Sequence, residues 1–151
     1  MKRICIGGVL FCLIAAGLTG QSASRIDDIL AQEELRYGSG AYLLLGSTGQ
    51  VDRSATPSDS VEVLKELGFH LDGKEVGDSL NLGELSLLVM RVFDVRGGLL
   101  YSLLEDPRYA ARELEFRQVI QGRAFPGMRV NGQRGLRIVN RAAALHAEGE
   151  L

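Results

Sequence analysis

"NLGELSLLVMRVFD", Asn81 to Asp94, decides the fold class. Asn81 stands where a helix cap belongs, and Glu84 follows three positions later, the spacing of a capping box. Leu85, Leu88, Val89 and Val92 recur at helical spacing and share one face. Leu87, Met90 and Phe93 carry the apolar surface further round the helix. A helix with so little polar surface belongs at the centre of a core, not on its rim.

Helix signals continue on both sides. "TPSDSVEVLKELG" offers Thr56 as cap, Pro57 at the first helical position and Gly68 to end the helix in a left-handed conformation. Its predicted buried stripe is Val61, Leu64 and Leu67. "DPRYAARELEFRQVI" starts in the same way at Asp106 and Pro107, with Tyr109, Leu114 and Phe116 as its large apolar residues. "RGGLLYSLLED" reads as a glycine break and a short helix. Near the start, "SRIDDILAQEEL" places Ile26, Ile29, Leu30 and Leu35 close to helical spacing. "GSGAYLLLGSTG" is a short apolar run between glycines, and Asn131 caps a last helix bearing Leu136, Val139 and Ala143. No stretch alternates as a sustained strand would; "FHL" and "MRV" are at most short extended pieces. The expectation is an all-α single domain of about six short helices.

A repeat underlies this pattern. "LGFHLDGKEVGDSLNLGELSLLVMRVF" overlays "FRQVIQGRAFPGMRVNGQRGLRIVNRA" at an offset of 49 residues. Gly73 then meets Gly122, Gly83 meets Gly132, Leu87 meets Leu136 and Val89 meets Ile138. An earlier partial copy lies at "LRYGSGAYLLL". The implied helix–loop–helix units are 25–55, 56–98 and 99–147, which would share a core with their neighbours.

The unit resembles the S-layer homology module, a bacterial envelope repeat of two helices joined by a loop. The likeness rests on "VLKELGFHLDG" followed by "LNLGELSLLVMRVF", and on "VIQGR" followed by "VNGQRGLRIVNRA", and covers roughly Val61 to Ala143. It implies three units that assemble together and hold a cell-wall polymer or peptidoglycan. The chain departs from that family in having no tryptophan. Leu82-Gly83-Glu84 and Gly132-Gln133-Arg134 also stand where the family opens its second helix with a Thr-Arg-Ala-Glu-like run. The chain also has the look of small exported bacterial proteins with no assigned activity.

The first residues, 1–24, read as a secretory signal. Met1-Lys2-Arg3 is positive, Ile4 to Leu18 is an unbroken apolar run, and "TGQSAS" supplies small and polar residues. The run is shorter than the roughly 20 residues of a membrane-spanning helix, so the membrane is involved only if the segment stays uncleaved. Cleavage is expected after Ser24, with Gly20 the alternative. Cys5 and Cys12 both fall in this segment, so the remaining domain, 25–151, has no disulfide or thiol and depends on its apolar core. The location expected is the periplasm or cell surface of a bacterium.

Charge is unevenly spread. Arg25 to Asp106 holds 7 basic and 15 acidic residues; Pro107 to Leu151 holds 8 arginines and 4 acids. Mild overall acidity argues against nucleic acid as a partner. The only histidines are His70 and His146, no serine sits in a G-x-S-x-G turn, and no metal-spaced His/Cys set exists, so no metal or cofactor is expected. "DGKEVGDSLNLGE" imitates a calcium loop, but Lys74 and Val76 fall on ligand positions and Gly83 on the closing glutamate.

What remains is arginine. On a helix from Asn131, Arg134, Arg137 and Arg141 follow i, i+3, i+7 and share a face, and Arg123 and Arg129 lie in the loop before it. Guanidinium forks match carboxylate, phosphate and sulfate oxygens. The bland alternative is a solvated face paired with acids such as Glu62 and Glu66. The function expected is a non-catalytic envelope protein, an interaction or cell-wall-associated module whose partner is peptidoglycan or another envelope protein. The alternative is a small periplasmic glycan hydrolase using Glu84 with Asp78 or Glu75, two carboxylates across a cleft.

Overall fold

The computed structural model describes residues 23–151. The expected signal segment, with Cys5 and Cys12, lies outside the described residues except for positions 23 and 24, which are helical. Among the described residues there are seven helices and no strand: α1 (23–30), α2 (Tyr37–Ser47), α3 (Pro57–Glu66), α4 (Leu82–Val92), α5 (Leu99–Leu104), α6 (Pro107–Phe116) and α7 (Gly132–Glu148). The all-α expectation holds.

The caps read from sequence are formed. Asn81 accepts from the Glu84 N–H while the Glu84 carboxylate accepts from the Asn81 N–H, and Thr56 and Asp59 make the same reciprocal pair. Asp106 and Asn131 cap α6 and α7. α4 is buried nearly all round, as its composition requires.

α2, α4 and α7 meet pairwise at the centre. α3 lies on α2 and α6 lies on α4, so each outer helix packs chiefly on the central helix before it in the chain. α1 closes the circuit against the start of α7, where the Gly132 N–H donates to Gln32 O at 2.9 Å. A Cβ on Gly132 would sit 1.7 Å from the carbonyl oxygen of Ile29, so only glycine admits this approach.

The first N–H groups of a helix have no partner within it. Here the loop before another central helix supplies one. Tyr37 N–H donates to Asp78 O (2.7 Å), Leu82 N–H to Met128 O (2.9 Å), and the Gly132 bond completes the round. Gly38 to Val76 O and Gly83 to Pro126 O add a second tie at two of the three places. At the axis, Leu80 N–H donates to Leu35 O and Leu35 N–H to Val130 O. These loops touch only as isolated bridges, Arg36 with Ser79 and Asn81 with Arg129. "MRV" is therefore extended without forming a sheet.

The backbone correspondence runs at 50 residues: Thr56 with Asp106, Pro57 with Pro107, Asn81 with Asn131. That is one more than the sequence overlay, which moves Leu87 from Leu136 to Arg137. Three further expectations change. The stretch from residue 31 to Leu35 is loop, because α1 ends at 30 where the chain turns to meet α7. The glycine-bounded run at 38–49 lies largely within a buried helix, α2. Leu67, predicted on the buried stripe, is 41 % exposed at the C-cap of α3; Phe116, at the end of α6, is 82 % exposed.

Candidate functional site

α7 and the loop after α6 enclose a small groove. Arg134, Arg137 and Arg141 line it with Val119, Gln121 and Ile138, around a cavity of 110 Å³. Helical spacing brings the three arginines together as the sequence predicts.

Two of the guanidinium groups are held by backbone. Arg141 Nε donates to Gln118 O at 2.5 Å. Arg134 donates to Arg123 O and approaches the Met128 sulfur at 3.0 Å. Each fork keeps further N–H groups for a ligand, because arginine has five donors. Arg137 is exposed, and its guanidinium makes neither a hydrogen bond nor an ion pair among the described residues. Burial, and then the neighbouring Arg137 charge, push the Arg134 pKa below the usual arginine value. The group stays charged at neutral pH, so like charges crowd here with no carboxylate paired to any of the three among the described residues.

The other two predicted arginines stand apart from the groove. Arg123 contributes its carbonyl to Arg134 while its side chain is exposed. Arg129 pairs with Glu34 at 2.5 Å, with its side chain 83 % exposed. Of the bland partners, Glu62 pairs with Lys65 on its own helix. Sequence reasoning missed Gln121 and the carbonyl clamps; a glutamine in an irregular loop carries no periodic signal.

A larger concave surface of 660 Å³ lies at the C-terminal end of α4, lined by Phe69, Arg91, Asp94, Arg96, Tyr101 and Glu105 among others. There Arg91 donates to His70 O at 3.0 Å, much as Arg141 does to Gln118, but Glu105 answers its charge at 3.5 Å. An apolar cavity of 360 Å³ between α1, α2 and α7 includes Ile26, Tyr42, Val51 and Leu136.

The acids of the glycan-hydrolase alternative are engaged locally. Glu84 caps α4 and pairs with Lys74 at 2.9 Å; Asp78 accepts from the Glu75 N–H at 2.8 Å. Lys74 also donates to Ser79 O, so the calcium-like loop is tied by its own ammonium. Among the described residues no cluster of three or more His, Cys, Asp or Glu side chains is disposed to hold a metal ion. His70 approaches Asp72 at 3.2 Å, and His146 tilts over the Phe93 ring with 5.4 Å between centroids.

Fold and groove together define a small all-helical protein with a preset cationic recess. The chain matches no family model, no curated protein and no solved structure.

Proposed function

We propose that this is an exported, non-catalytic envelope module that holds an anionic partner in the α7 groove. The partner is a cell-wall polymer such as peptidoglycan, or the acidic surface of another envelope protein. One observation carries the reading: three arginines converge on one recess, two of them fixed by carbonyls, with no carboxylate among the described residues paired to any of them. An oxyanion placed there relieves their mutual repulsion and takes up donors already oriented. The matched arginine on α4 is answered by Glu105, so an unanswered cluster is not demanded by the architecture.

Caps recur at 50 residues in two units, and the three central helices share the same kind of inter-loop cross-link, at Tyr37, Leu82 and Gly132; both support reading the domain as helix–loop–helix units around a shared core. The apolar run Ile4 to Leu18 and the small residues after it support export.

The test is co-sedimentation of residues 23–151 with purified peptidoglycan at low salt. Wild type is expected to pellet, and Arg134, Arg137 and Arg141 changed together to alanine are expected to stay in solution with an unchanged circular dichroism spectrum. Equal pelleting of both proteins, or of neither, contradicts wall binding through the groove. Arg137→Lys, which keeps the charge but loses the fork, should retain part of the binding.

A further inference from the structure

The connections leading into α3 and α6 do the same topological work with different residues. Residues 48–56, "TGQVDRSAT", run from α2 to α3 as a polar loop. Residues 93–106 run from α4 to α6 and include α5. Tyr101 anchors α5 in the core. Leu99, Leu100, Leu103 and Leu104 point away from it and are 86 %, 51 %, 75 % and 56 % exposed. A polar loop suffices at the first connection, so the fold does not require an apolar face at the second.

We infer that a second copy of this chain covers the outer face of α5. Two features select that occupant. The four leucines expose on the order of 500 Å², so pairing two copies removes about 1,000 Å² from water, the size at which a weak specific interface begins. The surroundings are electrically neutral, with five arginines and five carboxylates from Arg91 to Arg117. A neutral rim does not repel its own copy across a two-fold axis. It also gives no attraction to anionic lipid headgroups, and six residues make a short interfacial helix. The contact is isologous, α5 against α5, and leaves the arginine groove on α7 to its own ligand.

Sedimentation equilibrium of residues 23–151 tests this. That segment closes its own core and leaves no buried polar side chain without a partner among the described residues. Wild type is expected to pass from monomer to dimer as concentration rises from about 1 to 300 µM, the range of a weak, micromolar association. L99E/L103E is expected to weaken the dimer at least tenfold while its melting temperature at low concentration stays that of the wild-type monomer. A wild-type protein that is monomeric throughout overturns the inference, and this readout needs no variant. A dimer indifferent to the two glutamates also overturns it. So does leucine-dependent pelleting with phosphatidylglycerol vesicles by a protein that remains monomeric, because a lipid surface would then be the occupant.

Discussion

Leu87 and Arg137 occupy the same turn of α4 and α7, 50 residues apart. Leu87 is 4 % exposed; Arg137 stands in solvent beside two other arginines. Met90 and Asn140 repeat the contrast one turn on, the first buried and the second exposed. An asparagine cap and an inter-loop hydrogen bond at the first helical residue position both helices, so these shared backbone features do not dictate which becomes core. Coverage does. α4 is enclosed by α6, α2 and α7. α7 keeps one face open beside the loop after α6, and that face carries the arginines.

The comparison can be broken most severely at the first helical residue. Gly132→Ala forces a methyl group against the Ile29 carbonyl oxygen and should cost about 3 kcal/mol or more, because backbone cannot step aside. The matched position in α4 carries the full, buried side chain of Leu82. Chemical denaturation of both Gly132→Ala and a mild control, Arg137→Ala, measures the difference; the control should stay within about 0.5 kcal/mol of wild type.

Next in size is the core face. Leu88→Ala should lose about 2–5 kcal/mol, the range for a wholly buried leucine. A loss no larger than that of Arg137→Ala would refute the enclosure of α4.

A smaller effect separates the two outer helices. Gly68 and Gln118 both follow the C-cap in a left-handed conformation, φ 74 and 60. Glutamine pays a steric cost there that glycine avoids. Gln118→Gly should stabilise the protein by about 0.5–1 kcal/mol, and Gly68→Gln should destabilise it by a similar amount, both read from thermal melts.

The smallest effect is a pH dependence. The hydrogen bonds from Thr56, backbone first and hydroxyl second, hold the Asp59 carboxyl below the usual carboxylate range. A depressed folded value means that this group favours folding above the ordinary carboxylate pKa and loses that contribution as pH falls through the folded value. The melting temperature of Asp59→Asn should therefore fall less steeply on acidification than that of wild type. Parallel slopes would remove the capping role of the charge.

Much of this frame was legible because polar caps and prolines mark helix starts by local chemistry. Thr56-Pro57, Asn81 with Glu84, Asp106-Pro107 and Asn131 each begin a helix where expected. α2 was not legible as a buried helix, because its glycines read locally as breaks. At Gly40 an added Cβ would meet the Leu80 side chain at 2.7 Å, a contact that exists only after folding. Leu67 shows the converse limit: spacing places it on a helical stripe but does not say where the packed part of that stripe ends. At the site, i, i+3, i+7 spacing sufficed to gather Arg134, Arg137 and Arg141. The clamps on Gln118 O and Arg123 O, and the Arg129–Glu34 pair that draws Arg129 away, join segments distant in sequence and leave no periodic trace.

The central claim is that α2, α4 and α7 form one cooperative unit because the first amide of each is bonded to a loop belonging to another. Native-state hydrogen exchange at Tyr37, Leu82 and Gly132 measures this directly. The three amides should exchange with a common free energy equal to that of global unfolding, and should converge with the amides of the α4 interior as denaturant is added. Exchange of Gly132 at a distinctly lower free energy, with Leu82 still protected, would contradict it.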